Sequence, residues 1–143
     1  MNLKTIHNVY FIGIGGIGMS ALARYFKANG KNVAGYDKTE TNITIGLEKL
    51  GVAVHFDDAI DSIPKEFLSQ KETVIIYTPA IPKNHIEYNY LKDNNFTLLK
   101  RAEVLGKITE HTFCLAVAGT HGKTTTSSIL GHIMKPINAT SFL

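Results

Sequence analysis

The stretch V-Y-F-I-G-I-G-G-I-G, residues 9–18, runs an unbroken apolar segment straight into a cluster of glycines. Val9–Ile14 has the β-branched and aromatic content of a strand covered on both faces. Gly13, Gly15 and Gly18 fall at the spacing G-x-G-x-x-G. That spacing has a mechanical basis. The first glycine makes a tight turn, the second lets backbone approach a pyrophosphate, and the third lets a helix pack close to the strand. Amides at the helix start then face the anion, helped by the helix dipole. Gly13, Ile14, Gly15, Gly16, Ile17 and Gly18 are therefore candidate phosphate-binding residues.

Helical spacing follows the loop. Ile17, Ala21 and Tyr25 are expected to share one face, with Ser20, Arg24 and Lys27 as a polar stripe and Gly30 as the stop. Asn32–Tyr36 reads as a second strand. Asp37 at its end suits a carboxylate that accepts hydrogen bonds from a ribose or base, or one that caps the loop. Ile43, Leu47 and Leu50 line a helix closed by Gly51, and Val52–Phe56 reads as a third strand. Pro64 interrupts any long helix between Asp57 and Gln70. Thr73–Thr78 is a strong strand, and T-P-A-I-P (78–82) must be extended because each residue before a proline is pushed from the helical region. A helix over His85–Asn94, a strand Thr97–Lys100 and a helix Arg101–Glu110 complete the alternation. The fold class is α/β: a Rossmann-like parallel sheet with helices on both faces and right-handed crossovers. Ligands in such sheets sit beyond the carboxyl ends of strands. Up to this point an NAD-dependent dehydrogenase explains the residues equally well.

A second glycine loop lies further on. Phe113–Ala118 reads as another buried strand, and Gly119-Thr120-His121-Gly122-Lys123-Thr124-Thr125 follows it with the G-K-T core of a P-loop. Successive amides can wrap phosphates, Lys123 can reach β/γ oxygens, and the Thr124 hydroxyl can ligate Mg²⁺. The strict pattern fails, since Val117 stands at its first glycine position. His121 either touches phosphate or substrate or is an exposed loop residue. Helical spacing restarts over Thr124–Lys135, with Ile129, Leu130, Ile133 and Met134 on one side. The fold therefore adds the first strand, P-loop and helix of a second domain, with a boundary near Thr109–Thr112.

The bulk composition narrows the partners. Fifteen basic and 12 acidic residues leave a net charge of +3 over 143 residues, without a basic run. A nucleic-acid partner is not expected. No signal peptide and no apolar run near the ~18 residues of a membrane span are visible, so a cytoplasmic chain is expected and a membrane partner is not. The one cysteine, Cys114, reads as a small buried hydrophobe and excludes an internal disulfide. His7, His55, His85, His111 and His132 show no metal-ligand spacing and read as surface or packing residues.

H-N-V-Y-F-I-G-I-G-G-I-G-M-S-A-L-A (7–23) and A-G-T-H-G-K-T-T-T (118–126) together resemble the two signature loops of the Mur ligases. K-R-A-E-V-L (100–105) and T-P-A-I-P (78–82) are also similar to segments of that family. The resemblance implies an enzyme of three domains: UDP-binding, ATPase and amino-acid-binding. Residues 1–109 would be the UDP-sugar-binding domain and 110–143 the start of the ATPase domain, as in an N-terminal portion inactive as a ligase alone. By the same resemblance, Gly13–Gly18 would hold the diphosphate of UDP-N-acetylmuramate, with Asp37 on the uridine and Thr78 nearby. Gly119–Thr125 would bind ATP with Mg²⁺ at Thr124 and Lys123 as the catalytic cation. The muramoyl carboxylate would become an acyl phosphate attacked by the amine of L-alanine in peptidoglycan precursor synthesis. Family members that attach a recycled tripeptide to the same nucleotide sugar are the nearest alternative. No second acidic Mg²⁺ ligand and no amino-acid site can be assigned.

Overall fold

The computed structural model describes residues 6–110 and 112–137, so His111 lies outside the described residues. Among these residues five strands and five α-helices follow in order: β1 (Asn8–Ile12), α1 (Ile17–Ala28), β2 (Asn32–Tyr36), α2 (Asn42–Glu48), β3 (Ala53–His55), β4 (Thr73–Tyr77), α3 (Ile86–Asp93), β5 (Thr97–Lys100), α4 (Arg101–Thr109) and α5 (Lys123–Ile133). The strands form one sheet in the order β3-β2-β1-β4-β5. All four pairings are parallel. The α/β Rossmann-like class expected above is what forms. Chain order reverses between β1 and β4, the place where this architecture opens a ligand crevice.

Alternation along the central strands divides the core into two layers. Val9 and Phe11 of β1, with Val74 and Ile76 of β4, pack with Leu22 and Phe26 of α1 and Val104 of α4. Tyr10, Ile12 and Ile75 point the other way, toward Leu91 of α3 and toward Ile63 and Phe67. Every residue of β1 is buried, as its unbroken apolar run requires. The stretch 57–70 holds two short 3₁₀ turns, Ile60–Ser62 and Lys65–Leu68, the second starting directly after Pro64. Thr41 caps α2 by a reciprocal bond with Thr44, a signal that apolar periodicity does not carry.

Three expectations are corrected. The face of α1 against the sheet is Met19, Leu22, Ala23 and Phe26, whereas Ile17 is 74% exposed. Ile17 belongs to the opening turn beyond the strand end, so the burying stripe begins later. Ser20 is buried because its hydroxyl donates to the Ile17 carbonyl at 2.9 Å. Leu50 is exposed, because α2 ends at Glu48 before another turn could bring it inward. Phe113–Ala118 forms no strand, Phe113 is 87% exposed, and Cys114 is exposed rather than buried. An apolar run becomes a strand only beside a neighbour that completes its backbone bonds. None of the five strands is such a neighbour here. The loop and helix after it do form.

Gly35 and Phe11 are register partners in β2 and β1. A Cβ on Gly35 would stand 2.5 Å from the Phe11 carbonyl oxygen and 3.1 Å from Ile14 Cδ1. The carbonyl is fixed in the central strand, and Ile14 is fully buried in the core. Gly35→Ala is expected to destabilise the chain by about 1–3 kcal/mol, read as a lowered urea midpoint with unchanged m-value.

Candidate functional site

The crevice begins where β1 ends. The Tyr36 carbonyl at the end of β2 accepts the Gly13 amide at 2.8 Å and the Ile14 amide at 3.0 Å. This anchors the loop to β2 before it turns. Gly13 turns with φ +87°, a region that L side chains rarely adopt. The Gly16 amide then points back to the Gly13 carbonyl at 3.4 Å, and helix α1 starts with Ser20 N bonded to Gly16 O. Amides of Ile17, Gly18 and Met19 precede that first helical bond, so they form the anion-attracting end of α1.

Each signature glycine is pressed by a side chain from a remote segment. A Cβ on Gly13 would stand 2.7 Å from Thr78 Cγ2, and one on Gly15 would stand 2.8 Å from Asp37 Oδ2. One on Gly18 would collide with the Arg101 guanidinium, whose Cζ is 2.9 Å from that position. The glycines thus make room for Thr78, Asp37 and Arg101. Asp37 Oδ2 accepts the Gly15 amide at 2.7 Å, and its Oδ1 accepts the Thr39 amide at 3.2 Å. A carboxylate already sits where an anion is favoured. Gly13–Gly18, Asp37 and Thr78 are therefore brought together at the carboxyl ends of β1, β2 and β4.

Arg101 is the residue that motif reading missed. It opens α4 directly after β5, and α4 is capped by Glu103, which accepts the Lys100 amide at 2.6 Å. Its only signal in the sequence was its place in K-R-A-E-V-L. Its guanidinium beside the start of α1 adds a full positive charge to a helix end that already attracts anions. Tyr36 and Tyr77 end β2 and β4, with their rings packed toward the α3 side of the sheet. Burial raises both phenols, with Asp58 and Tyr88 respectively adding to the shift, so both hydroxyls stay protonated at neutral pH.

The second loop stands separately at the start of α5. Gly122 takes a left-handed φ of +74°. Lys123 Nζ donates to the carbonyls of Gly119 at 2.8 Å and Thr120 at 3.4 Å, curling over the loop. His121 Nδ1 lies 3.2 Å from Thr120 Oγ1. Gly119–Thr125 is exposed throughout, and α5 has no buried residue among those described. Lys123 thus folds back on the carbonyls of its own loop, directly after a glycine in the left-handed region. Thr124 lies in the first turn of α5.

Comparison with known proteins bears on family and fold. The profile described as "Mur ligase family, catalytic domain" matches residues 8–112. A UDP-N-acetylmuramate–L-alanine ligase of Flavobacterium psychrophilum is 66% identical over 134 residues, covering 94% of this chain and 30% of that protein. Its counterpart from Christiangramia forsetii is 55% identical over 145 residues, covering 99% and 32%. The chain thus spans about a third or less of the length of these curated relatives. Among solved structures, UDP-N-acetylmuramate–alanine ligase of Thermotoga maritima matches with a TM-score of 0.78 at 30% identity, over 92% of this chain and 30% of that one. The UDP-N-acetylmuramate:L-alanyl-γ-D-glutamyl-meso-diaminopimelate ligase of Neisseria meningitides matches with 0.79 at 27% identity, over 91% and 40%.

Gly13→Ala adds both a strained φ and a clash with the Thr78 methyl. It is expected to lower stability by roughly 1–3 kcal/mol. Thr78→Ser removes that methyl, so the double variant Gly13→Ala/Thr78→Ser should recover only the steric part. A thermal-unfolding double-mutant cycle checks this, since the φ strain should persist in the double variant.

Proposed function

The chain belongs to the Mur ligase family, and from that premise we propose that it binds UDP-N-acetylmuramate in the ATP-dependent joining of L-alanine to that nucleotide sugar. One observation carries the reading. A glycine loop at the β1/β4 switch point is rimmed by Asp37, Thr78 and Arg101, and a second phosphate loop stands on the same chain. A dinucleotide-binding domain accounts for the first loop and leaves the second without a role. In this reading residues 1–109 are the UDP-sugar-binding unit and 110–143 the opening of the ATP-binding unit, working in the cytoplasm. No helix among the described residues is long and apolar enough to cross a membrane.

The diphosphate lies over Gly15–Gly18, between the α1 amides and the Arg101 guanidinium. Asp37 then has to leave the Gly15 amide, because a carboxylate and a phosphate cannot share one donor. The uridine ribose hydroxyls offer it new donors, so its bond to Gly15 holds the loop in shape until the nucleotide arrives. Thr78 reaches the same ligand from the end of β4. Gly119–Thr125 holds ATP, with Lys123 moving from the Gly119 carbonyl to the β/γ oxygens. The Thr124 hydroxyl would hold Mg²⁺, which would supply charge neutralisation.

In the reaction, an oxygen of the muramoyl carboxylate attacks the γ-phosphorus and ADP departs, leaving an acyl phosphate. The L-alanine amine attacks its carbonyl carbon, phosphate leaves, and the amide remains. Lys123 serves this step by offsetting charge on the transferring group, since phosphoryl transfer depends on positioning and electrostatics. The shared name of the curated relatives supports L-alanine as the incoming amine. The tripeptide ligases share the fold about equally and have no specific observation in their favour.

Isothermal titration of the chain with UDP-N-acetylmuramate and, separately, with NADH tests the reading. The nucleotide sugar is expected to bind, with Arg101→Ala weakening it about 10–100-fold through loss of a charge-assisted contact. Binding of NADH with no response to the UDP sugar would overturn the assignment. Lys123→Ala is expected to reduce binding of a fluorescent ATP analogue while leaving the UDP-sugar isotherm unchanged.

A further inference from the structure

On the sheet face opposite α1, a group of ionisable side chains is enclosed that the nucleotide chemistry does not use. Glu87, on the first turn of α3, has no exposed surface. Its Oε2 lies 2.6 Å from the Tyr10 hydroxyl of β1, and the same hydroxyl lies 2.6 Å from Nε2 of His55 at the end of β3. Nδ1 of His55 lies 3.1 Å from the Asp57 carbonyl oxygen. That carbonyl can only accept, so Nδ1 carries a hydrogen and Nε2 of a neutral ring is bare.

The protons can now be counted. Tyr10 makes two short contacts and has one phenolic hydrogen. The second contact needs another hydrogen, from either the Glu87 carboxyl or an imidazolium Nε2. A carboxylate, a phenol and a neutral imidazole together are one proton short. Glu87 Oε1 has no hydrogen-bonding partner among the described residues and stands 3.5 Å from His55 Nε2. An enclosed carboxylate with a bare oxygen is expensive, whereas the carbonyl oxygen of a neutral carboxyl tolerates that position. Two arrangements satisfy every short contact, with the extra proton on Glu87 or on His55, and the bare Oε1 favours the first: Glu87 Oε2–H to Tyr10, Tyr10 O–H to His55 Nε2, His55 Nδ1–H to Asp57.

We propose that Glu87, Tyr10 and His55 form a proton-holding latch that ties α3 to the β1 and β3 strands, and that loss of its single shared proton weakens the fold. The groups facing it come from every neighbouring element. Asp57 and Asp58 follow β3, Tyr36 ends β2, and His85 precedes α3. Asp58 accepts the Ile86 and Glu87 amides at 2.9 and 3.0 Å and pairs with His85 Nδ1 at 2.9 Å. A charge on Glu87 would therefore face the carboxylate that caps its own helix.

Enclosure, and then the charge of Asp58, raise the Glu87 carboxyl from 4.5 to about 7 against the opposing hydrogen bonds of Tyr10 and the Ala59 backbone. The folded chain then holds more protons than the unfolded chain between those values, so this contribution falls as pH rises from about 4.5 to about 7. Burial lowers His55 and His85, which acts in the opposite direction. Both histidines remain in the Glu87→Gln variant, so a comparison with that variant isolates the latch.

The glutamine amide donates to Tyr10 at every pH. The wild-type folding equilibrium should therefore weaken relative to Glu87→Gln as pH is raised from 5 to 8, on the order of a hundredfold. Urea unfolding of both chains across that range measures it, and parallel stability curves overturn the proposal. ¹³C NMR of the Glu87 carboxyl in the wild-type chain gives a second reading that needs no variant to fold. A midpoint near 7 supports the latch, and a midpoint near the ordinary 4.5 overturns it.

Discussion

One carbonyl oxygen positions the crevice at the strand ends. Tyr36 O receives both the Gly13 and the Ile14 amides, so the turn after β1 is fastened to the end of β2 instead of projecting into solvent. This requires the two strands to lie in register, Ile12 against Tyr36. That register in turn depends on the close approach of Gly35 to Phe11, where no side chain fits between the backbones. Asp37 follows Tyr36 directly and thereby arrives within 2.7 Å of the Gly15 amide. The geometry of the loop thus follows from a packing constraint inside the sheet.

The two phosphate loops differ in how they are supported. Gly13–Gly18 is held from three sides, by β2, by Thr78 after β4 and by Arg101 at the start of α4. Its shape is set by the fold itself, and a loop held in this way would avoid the ordering entropy that a slack loop loses on binding. Gly119–Thr125 is shaped mainly by its own atoms, with Lys123 on the Gly119 carbonyl and Gly122 in the left-handed region. The apolar residues around it, Phe113, Leu115, Ile129 and Ile133, are exposed. Local sequence is enough to form a loop and helix, whereas a strand needs a neighbour.

The sheet also separates two kinds of chemistry. Above its strand ends lie backbone amides and a guanidinium suited to anions. On the α3 face the polar groups are enclosed and paired with one another, Tyr10 with Glu87 and His55, and Asp58 with His85. The two regions meet in β2 and β3, because the Asp37 amide bonds the His55 carbonyl at 3.1 Å. Order in the enclosed group therefore bears on the strand end that presents Asp37.

The sequence by itself determined the alternation of strands and helices, both glycine loops with their spacing, and the family likeness. Those are properties of neighbouring residues: an apolar run, a turn needing glycine, a helical period. Only the tertiary structure decided which stripe of α1 turns inward, that Phe113–Ala118 stays outside the sheet, and that Arg101 rests on Gly18. It also decided that His55 and His85 serve a hydrogen-bonded cluster, where the sequence alone suggested surface or packing roles. The physical reason is the strand order β3-β2-β1-β4-β5, which brings residues 10, 55 and 87, and residues 18 and 101, into contact across long stretches of chain. No local pattern encodes such meetings, because each depends on where a distant element packs.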